Sequence, residues 1–281
     1  MRGLGRSSAA ISVVNALATG IGCAVGVRLY AAASLDLEPA ATPGLVVEPA
    51  ESGTPLVRAS VERALGAAAP GKAFSARLHL DSEIPVAKGL KSSSAVSTAV
   101  IRAVDRALGT ESTDLDVAAL AARVGREVGV SATGALDDAL ASLVPGFVVT
   151  NNREDRLLLR APVDPEWTAV VHVPPGTHPP SAAVRERFHP WGREGSAAAE
   201  AALRGEWADA MHRNTSLVER VMGYKYAGLR HLLAGAGAVA SGVSGMGPAL
   251  VALAPRHRAA GVLAAMPPER FTVPLCTEAR P

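Results

Sequence analysis

The chain is organised around the stretch Pro85-Val86-Ala87-Lys88-Gly89-Leu90-Lys91-Ser92-Ser93-Ser94-Ala95. The stretch combines a proline entry, one flexible glycine and three consecutive serines, and it runs into a segment whose apolar residues recur at helical spacing. The first N–H groups of a helix have no partner inside the helix, and the helix dipole places partial positive charge at the same end. The stretch therefore predicts a loop that binds phosphate oxygens at the start of a helix.

A simpler interpretation of these residues is an ordinary helix whose first turn is capped by serine, which is a favoured N-cap residue. Lys88 and Lys91 count against it, because they place formal positive charge on both sides of Gly89. We expect residues 85–95 to hold the phosphates of a nucleotide, with the capped helix as the alternative.

Composition bounds the class of protein. A length of 281 residues is large for one hydrophobic core, which favours two domains. Lys and Arg number 28 against 26 for Asp and Glu, so the formal net charge of +2 predicts neither a nucleic-acid partner nor a membrane partner. Cys23 and Cys276 are too few for a disulfide framework and lack metal-ligand spacing, which is typical of a reducing compartment.

The N-terminal segment imitates a secretory signal, because Arg2 and Arg6 precede an apolar run. Ser12, Asn15 and the glycines that follow interrupt this run, so it lacks the continuous apolar region of a signal peptide. No other segment approaches the roughly 18 consecutive apolar residues that a membrane span needs. We expect a soluble protein of the cytoplasm.

A second motif imitates a P-loop, since residues 66–72 read Gly-Ala-Ala-Ala-Pro-Gly-Lys and match GxxxxGK. A P-loop follows a strand, continues with Ser or Thr, and opens a helix. Here a helical pattern over 57–65 precedes the match, Ala73 follows it, and a strand pattern over 74–80 comes next. We therefore predict that residues 66–72 do not bind phosphate.

Two acidic residues, Asp137 and Asp138, follow a small-residue turn at the start of a short predicted helix. One interpretation is structural, because carboxylates in a first helical turn complement the helix dipole. The other is chemical: a carboxylate beside such a turn reaches a substrate hydroxyl, and we expect its pKa to stay low enough to keep it ionised. The residues alone leave both interpretations open.

Regular elements fill both halves of the chain. One helix is predicted from the phosphate loop to Leu108, and a capping box at Thr113 and Asp116 opens another that reaches Glu127. Further strands are predicted at 11–18, 25–32, 45–48, 168–173, 250–253 and 271–275, and further helices at 197–211, 216–222, 227–234 and 257–265. The pattern changes from residue 147, so we place a domain boundary within 150–164. The proline-rich stretch 174–180 is predicted to be a stiff loop beside a cleft.

Two more segments are rich in glycine. The turn Gly242-Val-Ser244-Gly245-Met-Gly247 precedes a predicted strand, and beside the phosphate loop it would form a second wall for a nucleotide. Alone, it is an ordinary tight turn. Residues 18–26 hold three glycines, which suggests a backbone that a ligand approaches closely, although the spacing misses the dinucleotide-binding fingerprint.

Three separated small-residue loops and a helix-borne aspartate resemble the GHMP superfamily of small-molecule kinases, named for galactokinase, homoserine kinase, mevalonate kinase and phosphomevalonate kinase. The first motif of that superfamily is similar to residues 15–20, the second to the Pro-x-x-x-Gly-Leu-x-Ser-Ser pattern at 85–93, and the third to 242–249. Residues 89–95, 133–139 and 242–249 look like the archaeal-type shikimate kinases within it. The resemblance covers nearly the whole chain.

The resemblance implies an α+β fold with an N-terminal ribosomal-protein-like βα domain, residues 1–155, and a C-terminal ferredoxin-like α/β sandwich, residues 156–281. It implies an enzyme that uses ATP and Mg²⁺ to phosphorylate a hydroxyl of a small molecule such as shikimate. The residues implied to bind ATP are Pro85, Val86, Ala87, Lys88, Gly89, Leu90, Lys91, Ser92, Ser93, Ser94, Ala95, Ser244, Gly245 and Gly247. Lys91 stands where many relatives have glycine, so its phosphate role rests on its charge alone.

The resemblance also assigns the remaining site residues. Mg²⁺ is expected on Ser93 and Glu127, and the acceptor on Asn15, Thr19 and Asp138. Asp137 is expected to take or orient the proton of the acceptor hydroxyl.

The acceptor stays open between shikimate, another cyclitol, homoserine, mevalonate and pantoate, because acceptor-binding residues are scattered along the sequence. Candidates for binding a carboxylate of the acceptor, each with solvated surface arginine as the alternative, are Arg153, Arg156, Arg185 and Arg187. A catalytically silent ligand sensor on the same scaffold is an alternative from another class, and the joint presence of Ser93, Glu127 and Asp137 argues against it. A homodimer is also left open.

Overall fold

A computed structural model of the chain describes residues 1–177 and 181–278. The six strands of its first sheet are β1 (Arg2–Val14), β2 (Ile21–Pro39), β3 (Gly44–Glu48), β4 (Phe74–Ser82), β5 (Phe147–Asn151) and β6 (Arg156–Ala161). The strand order is β3-β4-β2-β5-β6, and β1 pairs with β2 outside this path. Apart from the parallel pair β3 and β4, these strands pair antiparallel, as the predicted α+β class requires.

Four helices accompany the first sheet: α1 (Pro55–Ala68), α2 (Ser92–Leu108), α3 (Asp114–Glu127) and α4 (Leu136–Ala141). The capping box that opens α3 is confirmed, because Thr113 Oγ1 accepts a hydrogen bond from the Asp116 N–H and the Asp116 carboxylate accepts one from the Thr113 N–H. The imitation P-loop lies across the end of α1 and the turn into β4. No helix opens after Lys72, so the prediction that residues 66–72 form no P-loop is confirmed.

The hairpin of β1 and β2 packs against α2, and its first strand begins nine positions earlier than the predicted 11–18. Two glycines explain why the pattern was missed. A Cβ at Gly3 or Gly5 would lie 1.9 Å from the carbonyl oxygen of Ala103 or Ala99, so the strand touches the helix backbone at both positions. The buried face of this strand therefore lacks the large apolar residues by which a strand is recognised.

The second sheet contains β7 (Trp167–His172), β8 (Ala240–Val243), β9 (Leu250–Pro255) and β10 (Arg270–Pro274) in the order β10-β7-β9-β8, with antiparallel pairs throughout. Its helices are α5 (Ser181–Phe188), α6 (Gly192–Leu203), α7 (Trp207–Met222), α8 (Ala227–Gly235) and α9 (Ala259–Ala265). Strand, helices, two strands, helix and strand in this order form the predicted ferredoxin-like arrangement.

The predicted helix over 197–211 is wrong, because two helices share that range. Gly205 adopts a φ of +76°, a left-handed conformation that ends α6, and α7 begins at Trp207. The separate helix predicted over 216–222 is the second half of α7.

The two sheets share a hydrophobic core. Buried residues of β7 and β9, such as Val171 and Val251, belong to the same cluster as those of β1 and β2, and Phe147 stacks on Trp207 with ring centroids 4.3 Å apart. The β5–β6 hairpin spans the predicted boundary at 155, because β6 pairs with β5 in the first sheet. The division into domains 1–155 and 156–281 stays a prediction.

The predicted stiff loop at 174–180 and the predicted absence of a membrane span are compared with the described residues only. Residues 178–180 of the predicted stiff loop lie outside the described residues. Among the described helices, none has the length and apolar character needed to cross a lipid bilayer.

Candidate active site

The start of α2 has an open phosphate-binding geometry. Lys91 occupies the N-cap position with a φ of +64°, and no side chain caps the helix there. The first-turn N–H groups of residues 92–94 therefore have no capping side chain, and Ser93 is exposed beside them. Unpaired N–H groups together with the positive end of the helix dipole suit the oxygens of a triphosphate.

The rest of the loop holds this helix start in place. Gly89 adopts a φ of +90°, and the buried side chains of Leu90 and Ala95 belong to the core. Lys88 donates from Nζ to the carbonyl oxygens of Pro174 and Gly176. The ammonium of Lys88 is therefore engaged in a tether between the loop and the second half of the chain.

Pro85, Val86 and Ala87 form the outer rim of the loop. Val86 is 73% exposed, and Ala87 adopts a φ of +56°. The side chains of Leu90 and Ala95 are buried, so the predicted cofactor roles of these two residues rest on their main-chain groups.

The glycine-rich turn at 242–247 packs directly on the phosphate loop. Ser244 Oγ donates to the Gly89 carbonyl oxygen over 2.7 Å and accepts from the Ser12 N–H over 3.0 Å. Ser244 is fully buried, so its hydroxyl clamps three segments together rather than facing a ligand. The backbone of Gly245 lies against the end of Lys91, because a Cβ at Gly245 would be 2.5 Å from Lys91 Nζ.

Gly247 lies between the phosphate loop and Tyr224, because a Cβ at Gly89 would be 3.2 Å from the Gly247 carbonyl oxygen. A Cβ at Gly247 would lie 2.7 Å from the Tyr224 ring, whose hydroxyl donates to the Met246 carbonyl oxygen over 2.8 Å. The Tyr224 ring packs against the turn at Gly247. Glycine at this position therefore permits the close contact that supports the turn containing Gly245.

Asp137 is the buried carboxyl group of the site. It is 3% exposed, and β2 passes so close that a Cβ at Gly22 would lie 2.4 Å from its Cγ. Asp137 Oδ1 accepts a hydrogen bond from Asn152 Nδ2 over 2.8 Å. Asn152 is held in this orientation because its own Oδ1 accepts from the Thr150 hydroxyl over 2.6 Å.

Burial raises the pKa of Asp137 to about 7, and the neighbouring charge of Asp138 adds to the effect. Lys91 and the hydrogen bond from Asn152 lower this pKa and offset part of the rise. The expectation of a low pKa is therefore wrong, because the sequence does not show how completely β2 and α4 cover the carboxyl group. A carboxyl with a pKa near neutrality is suited to accept a proton from a hydroxyl.

Asp138 connects α4 to the phosphate loop. Its Oδ2 lies 3.1 Å from Lys91 Nζ, and the two side chains are only 9% and 14% exposed. Among the described residues, Asp138 Oδ1 has no hydrogen-bond partner. The pair brings the cation of Lys91 to the base of α4, beside Asp137 and the start of α2.

Asn15 and Thr19 shape the turn between β1 and β2. Asn15 Oδ1 accepts from the Leu17 N–H over 2.8 Å, and Thr19 Oγ1 accepts from the Ile21 N–H over 3.1 Å. The Asn15 N–H donates to Asn214 Oδ1 on α7 over 2.8 Å. Sequence reasoning missed Asn214, a buried residue far along the chain that no local motif marks.

Glu127 lies at the end of α3, and its exposed carboxylate accepts a hydrogen bond from Arg63 Nε over 2.9 Å. No cluster of three His, Cys, Asp or Glu side chains arranged for a metal is found among the described residues. The exposed hydroxyl of Ser93 is an oxygen donor of the kind that Mg²⁺ accepts in company with phosphate oxygens. The metal roles of Ser93 and Glu127 stay predictions, with the geometry favourable for Ser93 only.

A cavity of about 400 Å³ opens beside Asp137. Its lining residues are Ala16, Leu17, Gly20, Arg126, Ala132, Thr133, Asn152, Arg153 and Arg185. Asn152 belongs both to this wall and to the hydrogen bond with Asp137, so the carboxyl group lies directly behind the cavity. Of the four candidate arginines, Arg153 and Arg185 line it, whereas Arg156 pairs with Glu154 and Arg187 donates to the Val221 carbonyl oxygen.

Comparison with known proteins identifies the family of the chain. The sequence model of the GHMP kinases N terminal domain matches residues 56–146, and that of the GHMP kinases C terminal region matches residues 198–272. The shikimate kinase of Pyrococcus abyssi is 34% identical over 255 residues, which cover 90% of this chain and 92% of the relative. The shikimate kinase of Halobacterium salinarum is 40% identical over 179 residues, or 62% of each chain.

Solved structures share the fold. The homoserine kinase of Cytophaga hutchinsonii superposes with a TM-score of 0.73 at 18% identity, covering 99% of this chain and 96% of that one. The mevalonate kinase of Methanococcus jannaschii gives a TM-score of 0.73 at 14% identity, covering 98% of both chains. The two family models and these relatives define a small-molecule kinase that uses ATP. The chain belongs to the GHMP kinase family.

Proposed function

We propose that this kinase transfers the γ-phosphoryl group of ATP to a hydroxyl of shikimate. Relatives that match the chain over about nine-tenths of its length are shikimate kinases, which supports this acceptor. The observation that carries the proposal is the position of Asp137, whose partner Asn152 forms part of the cavity wall. A cavity of about 400 Å³ is of the size that binds one small metabolite.

The residues of this chain take separate roles in that reaction. ATP supplies the phosphoryl group, and Mg²⁺ on Ser93 would neutralise charge on the phosphates. The N–H groups at the start of α2 bind the phosphate oxygens, and Lys91 adds a cation at the same point. Asp137 accepts the proton of the acceptor hydroxyl as its oxygen bonds to phosphorus and the bond between phosphorus and the departing ADP breaks. Asp138 holds Lys91 in position for this step.

A reducing compartment remains part of the proposal. Cys23 and Cys276 are both buried, and neither forms a disulfide among the described residues, which agrees with a protein of the cytoplasm. The homodimer stays a prediction, and light scattering of the purified protein measures it directly.

The experiment is an ADP-release assay with shikimate, homoserine, mevalonate and pantoate as separate acceptors, followed by mass spectrometry of the product. We expect shikimate to give the highest kcat/KM and a product heavier by one phosphoryl group. The Asp137→Asn variant serves as the matched control for enzyme-dependent release. Release that no acceptor increases would refute the kinase proposal and favour the silent sensor, whereas a preference for another acceptor would refute shikimate alone.

A further inference from the structure

Two buried hydroxyl groups join the helix that begins at the phosphate loop to the helix that carries Asp137. Thr98 lies on α2 and Ser142 directly follows α4, and the distance from Thr98 Oγ1 to Ser142 Oγ is 2.9 Å. Either hydroxyl can be the donor, and both residues are fully buried. This hydrogen bond therefore connects the two parts of the candidate active site through the interior of the protein.

On the α2 side, the connection reaches the phosphate loop itself. Thr98 Oγ1 lies 2.8 Å from the carbonyl oxygen of Ser94 and 3.1 Å from that of Ala95, and its hydroxyl can donate to both. Both carbonyl groups belong to the predicted phosphate-binding stretch 85–95. A displacement of Thr98 would therefore move the first turn of α2, where the phosphates are expected to bind.

On the α4 side, the backbone of Ser142 is anchored twice. Its N–H donates to the Asp138 carbonyl oxygen over 3.0 Å, and its own carbonyl oxygen accepts a hydrogen bond from the Ser8 N–H of β1 over 3.0 Å. At the start of α4, Asp138 also pairs with Lys91 of the phosphate loop. Polar contacts to α2 and its loop therefore hold both ends of α4. Because α4 has only six residues, a shift at Ser142 is transmitted to Asp137.

Apolar packing alone would not fix the separation of these two helices. The buried residues whose carbonyl oxygens Thr98 and Ser142 contact on their own helices are alanines, Ala95 and Ala139. A small cavity of about 10 Å³ is lined by Ser94 of α2 and Ala139 of α4, so the packing there is incomplete. Contacts between apolar side chains are not directional, whereas a hydrogen bond has a defined length and angle. The hydroxyl pair therefore supplies a directional contact that the alanines cannot.

We propose that Thr98 and Ser142 are positioning residues for phosphoryl transfer, because their hydrogen bond sets the distance between the start of α2 and the carboxyl group of Asp137. This inference rests on the proposed function and adds two buried residues that contact no substrate. Reacting atoms must lie about 3–3.5 Å apart, so a displacement of about 1 Å lowers the rate strongly. The carboxyl group cannot compensate by moving towards β2, since a Cβ at Gly22 would already lie 2.4 Å from Asp137 Cγ.

The first test compares kcat and KM for variants that lack one hydroxyl. Thr98→Val and Ser142→Ala should each lower kcat by about tenfold and leave KM for ATP and for shikimate within about twofold of the wild-type values. Thr98→Ser retains the hydroxyl and should keep kcat close to wild type. The double variant should be no slower than the slower single variant, because both substitutions break the same contact.

Ser60→Ala is the matched control. Ser60 of α1 forms the same kind of buried hydroxyl pair with Ser97 of α2 over 2.8 Å, and its hydroxyl also donates to a carbonyl oxygen of its own helix, that of Leu56. No role in the reaction is assigned to a residue of α1. Ser60→Ala should therefore lose thermal stability as Thr98→Val and Ser142→Ala do, while its kcat stays at the wild-type value.

A second measurement does not depend on turnover. Hydrogen exchange of the backbone amides of residues 137–142 should be faster in Thr98→Val than in wild type or Ser60→Ala, because loss of the pair releases the end of α4. Exchange equal to that of Ser60→Ala would overturn the positioning role.

The kinetic outcomes separate this inference from the proposed function. Wild-type kcat in both Thr98→Val and Ser142→Ala, or an equal fall of kcat in Ser60→Ala, would overturn the positioning role and leave the kinase intact. If the wild-type protein phosphorylates no acceptor, the proposed function is refuted instead, and faster exchange in Thr98→Val would still show that the hydroxyl pair holds α4 against α2.

Discussion

Replacing Asp137 by Asn is expected to abolish most turnover and to stabilise the folded protein at neutral and alkaline pH. The carboxyl group is buried, and its pKa is raised from 3.8 to about 7. Between these two pH values the folded state holds a proton that the unfolded state has released. The contribution of Asp137 to stability is therefore fully present below about pH 4, and it is lost as pH rises through about 7.

The size of this effect follows from the shift. A rise of about 3 pKa units corresponds to about 4 kcal/mol, of which about 3 kcal/mol is lost between about pH 5 and pH 8.5. Asn has nearly the shape of Asp and carries no charge, so Asp137→Asn lacks this loss. The free energy of unfolding of the variant should therefore rise by about 3 kcal/mol relative to wild type across that range. Its kcat should fall at least about 100-fold, because Asn cannot accept the proton of the acceptor hydroxyl.

Denaturant unfolding at a series of pH values measures the first quantity, and the ADP-release assay measures the second. The wild-type kcat should also fall below about pH 7, because the protonated carboxyl group cannot accept the hydroxyl proton. Asp81→Asn, at an exposed carboxylate on β4, should follow the wild-type unfolding curve at every pH. If the free energies of unfolding of Asp137→Asn and wild type vary with pH in the same way, the raised pKa of Asp137 is refuted. Unchanged turnover in the variant would show that Asp137 has no role in the reaction.

Three further substitutions test the surroundings of this group. Ser93→Ala should raise the Mg²⁺ concentration needed for half-maximal turnover by about tenfold or more, and an unaltered magnesium titration would count against its metal role. Lys91→Met leaves Asp138 buried without its cation, so the free energy of unfolding in denaturant should fall by about 3–5 kcal/mol. Because Lys91 lowers the pKa of Asp137, the acidic limb of the kcat profile should also move to higher pH. A variant with the wild-type free energy of unfolding and the wild-type pH profile would contradict the ion pair. Gly22→Ala places a methyl group against Asp137, so kcat should fall by about 100-fold with nucleotide affinity unchanged, and normal turnover would show that the carboxyl group tolerates displacement.

The sequence predicts those parts of the fold that depend on neighbouring residues. Helix α2, the capping box at Thr113 and the strand predicted at 168–173 are set by local spacing and turn chemistry, and the structure has them where they were expected. Sequence analysis missed the N-terminal half of β1, because this part of the strand is defined by its close contact with α2. Gly3 and Gly5 make that contact possible, but glycine does not indicate a strand. The gap between α6 and α7 depends on one glycine conformation, which spacing alone does not show.

The candidate site also combines features that a sequence motif indicates with features that only the folded chain shows. The sequence alone suggests residues 85–95, the glycine-rich turn at 242–247 and Asp137 as site residues, because each belongs to a continuous motif. The pKa of Asp137 depends on burial by β2, and the role of Ser244 depends on its contact with Gly89, so neither follows from a motif. Asn214 and the cavity position of Arg185 come from helices of the second half, and only the folded chain brings them beside the turn at 15–20.

Two features of this molecule are unfavourable for folding, and one ion pair connects them. The start of α2 leaves its first N–H groups without a side-chain cap, and Asp137 is buried with a raised pKa. Lys91, at the start of α2, pairs with Asp138, the neighbour of Asp137. Each feature is costly in an isolated protein, since uncapped helix ends and buried carboxylates reduce stability. In the proposed reaction a triphosphate would satisfy the N–H groups, and an acceptor hydroxyl would contact Asp137. A stretch of structure that needed only to fold would not require these two defects within reach of one another, so their coincidence supports a site for a phosphoryl donor and an acceptor hydroxyl.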